Sequence, residues 1–318
     1  MQRKFGMFLH FGVNTFGNVE WSDGGIAARS YQPTAIDADQ WVRAAYEAGM
    51  NFVVLTAKHH EGFCLWHTKQ TQYSVEYSGN PTDVVAEVAA ACHRYGIHLG
   101  LYYSLWDRSY PGYQKDLAGD YIPYMLRQLT ELMDGRYGEI VELWLDGGWD
   151  KAASQWRLDL VYDTVKRLQP NCQIGVNHTV GVDLPGNCAA NQRYLPRNYQ
   201  ELDPMRMFPS DFRLLDPYPC RADDPKLYTF SGQVYYLPFE MTICSRSSWF
   251  YSNIYEQQPL QDVSAVVRDC RTAFEADNVV VINLPPNTQG RLVEADVDHL
   301  MEISRALGCW RGEASLQP

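Results

Sequence analysis

The chain alternates strand-like and helix-like segments, and this predicts an α/β fold: a (β/α)8 TIM-like barrel, irregular around strands 5 and 6. Three observations support that expectation. About eight strand-helix units recur along the sequence, which implies a parallel sheet long enough to close. The length of 318 residues suits a barrel as a single unit. No GxGxxG follows the first strand and no phosphate-binding loop occurs, so an open dinucleotide-binding sheet is disfavoured.

Each element has its own warrant. Residues 5–13 form a nearly continuous apolar run that carries His10. Residues 37–49 space apolar side chains at three and four, begin with acids and end at Gly49, the pattern of a capped helix. A strand over 51–57 runs into Lys58-His59-His60-Glu61-Gly62-Phe63. A helix over 83–96, a strand over 98–105 and a helix over 121–133 continue the alternation. The strand over 140–146 ends on Asp146, because Gly147-Gly148 break it there. A helix over 156–168 stops before Pro170, and a strand over 172–177 follows. Between 179 and 230 prolines and aspartates blur the periodicity, so the sixth strand is placed only within that stretch. Strand seven is expected over 234–243, a helix over 262–276, strand eight over 278–283 and a last helix over 296–307.

Composition narrows the function. A hydrophobic fraction of 46% with 20% charged residues is that of a globular protein, and no apolar run reaches the roughly 18 residues of a spanning helix. The net charge of −11 argues against nucleic acid and favours a neutral ligand. Eight cysteines without a CxxC give no zinc or redox motif and read as reduced thiols. The N-terminus shows no signal-peptide pattern, so a cytoplasmic location is expected. No cofactor and no membrane partner are expected. A homo-oligomer would cover surface that a bare barrel leaves exposed.

On the barrel reading, His10, His59, His60, Tyr102 or Tyr103, Asp146, Asn177, His178 and Glu240 stand at or just past the C-terminal strand ends, where such barrels do their chemistry. Two chemistries could use them. Glycoside hydrolysis needs a carboxylate pair, and Asp146 with Glu240 supplies one. Metal-assisted hydrolysis would use His10, His59 or His60 with Asp146, but HxH and HExxH are absent, and adjacent His59 and His60 would face opposite ways if still in a strand. A non-catalytic sugar-binding protein on the same scaffold is the third reading.

Several stretches together resemble glycoside hydrolase family 29, the retaining α-L-fucosidases. They are Lys4-Phe-Gly-Met-Phe-Leu-His10, Lys58-His-His-Glu-Gly-Phe63, Gly100-Leu-Tyr-Tyr-Ser104, Leu143-Trp-Leu-Asp-Gly147, and Phe239-Glu-Met-Thr-Ile243 leading to Ser248-Trp-Phe-Tyr251. The resemblance runs to about Gly308 and implies an exo-acting enzyme that removes terminal α-L-fucose from a fucosylated glycan by double displacement. It implies Asp146 as nucleophile, with Trp144 beside it. His10, Glu20, Trp21, His59, His60 and Tyr103 are implied as fucose contacts, to which His178 and Trp249 are added. The acid/base position varies within the family. Glu240 is assigned to it here as a strand-end acid, with Glu201 in the long loop as the rival. Phe11 stands where the family usually has Trp, and His178 where it usually has Arg. The expected organisation is a catalytic barrel over 1–308 and a tail over 309–318, without the family's C-terminal β-sandwich.

Overall fold

The computed structural model describes residues 4–181, 204–216 and 219–312. Eight parallel strands close in the order β1-β10-β9-β6-β5-β4-β3-β2. In chain order they are β1 (Phe5–Leu9), β2 (Phe52–Lys58), β3 (His98–Ser104), β4 (Ile140–Asp146), β5 (Gln173–Asn177), β6 (Phe212–Leu214), β9 (Phe239–Cys244) and β10 (Val279–Asn283). Between β6 and β9 lies an antiparallel hairpin of β7 (Leu227–Phe230) and β8 (Gln233–Tyr236). The helices are α1 (Val13–Gly17), α2 (Ala38–Glu47), α3 (Val84–Tyr95), α4 (Pro111–Lys115), α5 (Ile122–Met133), α6 (Leu158–Leu168), α7 (Val263–Glu275) and α8 (Glu294–Leu307).

Local chemistry sets the helix ends. The side chains of Asp37, Asp83 and Asp262 accept hydrogen bonds from the backbone N–H groups of Gln40, Ala86 and Ala265, satisfying donors that the first turn leaves open. Gly96 closes α3 in the left-handed region at φ 63°.

Strand alternation divides the interior into two cores. Phe8, Phe52, Val54, Tyr102, Trp144 and Phe212 fill the barrel itself, whereas Trp41, Val53, Leu55, Leu101 and Leu143 pack between strands and helices. Gly6 and Gly175 let aromatic rings fit inside, since a Cβ on either would come within 2.5 Å of the Phe52 or Phe212 ring.

One strand departs from expectation. The segment expected as strand seven over 234–243 is two elements: β8, which turns back on β7 through Ser231 and Gly232, both at positive φ, and β9, which starts only after Pro238. Proline has no N–H to continue a ladder, and a two-residue turn with both residues at positive φ suits a tight hairpin. Glu240 is therefore the second residue of the barrel strand, not near its end.

The pairing of β2 and β3 slips between Thr56 and Lys58. The bulge turns Lys58 out of the barrel, where its ammonium meets Asp107 at 3.0 Å and the Tyr103 hydroxyl at 3.0 Å, all fully buried. Losing one partner strands the other charge without water. Lys58→Met is expected to cost about 3–5 kcal/mol of unfolding free energy in a denaturant titration. Arg94→Ala, which breaks an exposed pair with Asp39, should cost less than about 1 kcal/mol.

Candidate active site

Asp146 closes β4 and opens onto a cavity of about 170 Å³ at the C-terminal mouth of the barrel. That is smaller than the roughly 300–1,000 Å³ of drug-sized sites, so it suits one compact ligand. Neighbouring strands supply the donors for its carboxylate. The Tyr102 hydroxyl from β3 donates to Oδ2 at 2.8 Å, and Asn177 Nδ2 from β5 donates to Oδ1 at 3.0 Å. Burial pushes the Asp146 pKa up, and these two bonds with the Gly147 backbone pull it back. Gly147 sits at φ 74°, where a Cβ would meet Trp106 at 2.8 Å and the His60 ring at 3.0 Å. Only glycine lets the chain leave the strand there.

His10, His59 and His60 line the same cavity. β2 ends at Lys58, so the two adjacent histidines leave the strand alternation and come together, their ring centroids 4.1 Å apart. Hydrogen-bond chains fix two tautomers. The Ser104 hydroxyl donates to the Trp106 carbonyl at 2.7 Å and must therefore accept from His60 Nδ1, also at 2.7 Å. Asn283 donates its amide to the Trp249 carbonyl at 2.9 Å, so its oxygen accepts from His10 Nδ1 at 2.8 Å. Desolvation, reinforced by nearby His59, holds the pKa of both rings well below the ordinary histidine value, so each is neutral and offers Nε2 as an acceptor. His60 Nε2 lies 3.6 Å from Asp146 Oδ2. Two acceptors so close call for a donor between them, such as a sugar hydroxyl. His59 Nδ1 is 3.3 Å from Glu61, whose carboxylate also accepts from Asn14 at 2.8 Å.

A second acid faces the cavity, and it is not Glu240. Asp216 follows β6 by two residues and lines the pocket. Burial, reinforced by the Asp146 and Glu20 charges, pushes its pKa up to about 7, against a hydrogen bond donated by Thr242. Glu240 lies deeper in the barrel, where its Oε1 accepts from Trp144 Nε1 at 2.9 Å and the group is 2% exposed. It supports the Trp144 ring from below rather than lining the pocket. The rival Glu201 falls outside the described residues.

Trp21, Trp144, His178 and Trp249 line the cavity as expected. Two other expected contacts sit behind it. Tyr103 points outward from β3, donating to Gln128 at 2.6 Å and accepting from Lys58, because the period of two gives the inward place to Tyr102. Glu20 accepts from the Trp249 backbone N–H at 2.5 Å and so fixes that ring's loop. His178 is held at φ 59°, packs on Trp149, and has its pKa lowered to about 4 by desolvation and nearby Arg206. Among the described residues no three His, Cys, Asp or Glu side chains converge as metal ligands.

Asp216 and Trp149 escaped the sequence reading. The signal for Asp216 was present: Phe212-Arg-Leu-Leu is a short apolar run that ends on an acid followed by a proline, as β4 ends on an acid followed by glycine. Trp149 sits in a turn after β4 where no periodicity marks a ring as facing the site.

The Alpha-L-fucosidase family profile matches residues 1–310. Alpha-L-fucosidase 1 of Arabidopsis thaliana is 35% identical over 311 residues, which are 94% of this chain and 56% of that protein. This chain thus spans little more than half of that relative's length. A glycoside hydrolase 29 family member from an unknown rumen bacterium superposes with a TM-score of 0.80 at 26% identity, over 96% of this chain and 55% of the other. Alpha-L-fucosidase isoenzyme 1 from Paenibacillus thiaminolyticus gives 0.71 at 26% identity, over 98% and 76%. With its profile matched almost throughout and its motifs gathered at one barrel mouth, the chain belongs to the alpha-L-fucosidase family, glycoside hydrolase family 29.

Proposed function

We propose that the protein is a retaining exo-α-L-fucosidase acting on terminal α-L-fucosyl residues of fucosylated glycans, with Asp146 as nucleophile and Asp216 as general acid/base. The observation that carries this reading is the inequality of two carboxyls in one small pocket. Asp146 receives donors from Tyr102, Asn177 and the Gly147 backbone, whereas Asp216 accepts from the Thr242 hydroxyl and feels Asp146 as a repelling charge. In this reading Asp146 acts as the carboxylate and Asp216 as the acid, the division of labour that glycosidases need.

In the first step the Asp146 carboxylate attacks C1 from the β face and the C1–O bond to the leaving group breaks. The Asp216 proton passes to the departing oxygen. A β-fucosyl ester on Asp146 results, and with the Asp146 charge gone the Asp216 carboxylate no longer faces a like charge. Asp216 then takes a proton from water as that water attacks C1, releasing α-L-fucose and restoring both groups. His10 and His60 accept from sugar hydroxyls, and Trp144 and Trp249 supply flat apolar surface.

Asp146→Gly should lower kcat on an aryl α-L-fucoside by roughly 10⁴-fold or more. Added azide then takes the vacated space and yields β-fucosyl azide, identified by its anomeric proton coupling. Retained turnover in this variant would remove Asp146 from the mechanism.

Asp216→Ala should reduce kcat/KM on an unactivated fucoside by about 10²–10⁴-fold. With an activated aryl fucoside, azide should instead yield α-fucosyl azide by attack on the intact ester. If Glu201→Ala gives the α-azide and Asp216→Ala does not, the acid/base role moves to the loop.

The pH dependence has a defined sign. Since Asp216 must be protonated in the first step, kcat/KM should fall above pH about 7, and Asp216→Asn should abolish that limb. The same raised pKa means that the native state holds this proton more tightly than the unfolded chain. Its stabilising contribution is complete below 3.8 and is lost as pH rises towards about 7. Asp216→Asn should therefore flatten the decline of Tm across that window, read by thermal melts at several pH values.

A further inference from the structure

The three histidines of the pocket differ in what stands behind them. At Nδ1, His10 meets the amide oxygen of Asn283 and His60 the hydroxyl of Ser104, both neutral groups. His59 meets a carboxylate. The chain turns directly after β2, where the Gly62 N–H donates to the His59 carbonyl at 3.0 Å, and this returns the Glu61 side chain to the His59 ring. Gly62 leaves the turn at φ 93°, a conformation that glycine adopts freely.

The proton between this pair has a definite place. Asn14 Nδ2 has two hydrogens, and it donates one to the Glu20 carbonyl at 3.0 Å and the other to Glu61 Oε2 at 2.8 Å. None is left for His59 Nδ1, which lies 3.3 Å from the same nitrogen. His59 therefore carries its own proton on Nδ1 and donates it to Glu61 Oε2 at 3.3 Å. Nε2 remains to face the cavity that the ring lines. Glu61 is 1% exposed, so bulk water does little to screen the pair.

We propose that Glu61 is a positioning residue that holds His59 as an imidazolium, the hydrogen-bond donor of a sugar site whose other two histidines accept. The inference rests on the fucosidase reading and deepens it. A sugar hydroxyl brings one proton and two lone pairs, so acceptors alone satisfy only part of it. The donors around Asp146 are already engaged: Tyr102 and Asn177 give to that carboxylate, and Trp144 gives to Glu240. A protonated His59 adds Nε2–H as a charge-assisted donor. Burial raises the Asp146 pKa, and the His59 charge is among the influences that pull it back.

The groups around the ring permit this charge. His60 and His10, with ring centroids at 4.1 and 6.1 Å, are both held neutral and do not repel it. Tyr102 stacks on it at 5.6 Å and is kept protonated by burial and by the Asp146 and Glu61 charges. Lys58 and Arg108 are the opposing cations of the cluster, felt at His60, while Asp146 faces it from β4 as a second anion.

Imidazole nitrogen resonances of isotopically labelled protein, titrated from about pH 5 to about pH 9 and assigned with His59→Gln, report this charge directly. At pH about 7 the wild-type His59 should be the imidazolium while His10 and His60 stay neutral. Glu61→Gln keeps the shape of the side chain and removes its charge, and should lower the pH at which His59 titrates by about 1–3. On an aryl α-L-fucoside the same variant should raise KM by about 10- to 100-fold near pH 7, a loss relative to wild type that shrinks as the pH falls. Glu61→Asp, which restores the charge, should rescue most of it. A merely structural role would lower activity alike at every pH and leave the His59 titration in place. A neutral His59 in the wild type at pH about 7 overturns the proposal, and so does an unchanged titration in Glu61→Gln. A wild type that leaves the aryl fucoside intact overturns the fucosidase reading instead, and the titration, which needs no turnover, still decides the state of His59.

Discussion

A closed parallel barrel leaves its inward side chains no water below the mouth, and the site is organised by that constraint. Alternation sends every second residue inside, where aromatic and branched side chains fill the space and any polar group needs a partner. Deep in the barrel the solution is mutual: Glu240 accepts from Trp144, and both are committed. At the rim the partners come from flanking strands, as Tyr102 and Asn177 do for Asp146. A carboxylate can stay charged there while presenting itself to a ligand.

The same desolvation acts differently on different groups. It raises the pKa of both Asp146 and Asp216, that of Asp216 to about 7, while the donors are shared unequally: Tyr102, Asn177 and the Gly147 backbone reach Asp146, and Thr242 reaches Asp216. It keeps His10 and His60 neutral, and the Ser104 and Asn283 contacts then decide which nitrogen carries the remaining proton. The pocket is thereby rich in acceptors, which suits a ligand covered in hydroxyl donors. Behind it, Lys58, Asp107 and Tyr103 form a buried network that holds the loop of His59 and His60 without entering the pocket.

The irregular side of the barrel complements this rigid side. A hairpin lies between β6 and β9, and among the described residues β6 pairs with β9 only at Arg213↔Phe239 and Leu214↔Glu240. Units from β1 to β5 place Asp146, His10, His59 and His60 around one pocket. The interrupted unit brings Asp216 to the same pocket.

The sequence alone determined the barrel and the Asp146 end of the site. Apolar runs alternating with capped helices are local patterns, and an acid followed by Gly147-Gly148 marks a strand end without reference to any other residue. It misplaced Glu240 because a hairpin strand and a barrel strand, joined through Pro238, read as one run. It chose Tyr103 over Tyr102 because two adjacent tyrosines in a strand look alike until the phase of the alternation is known. Only the tertiary structure decided which second acid lines the pocket with Asp146 and which ring nitrogens are lone pairs. These depend on residues from different strands meeting in space, and neither a partner's distance nor loss of water is written in a local pattern.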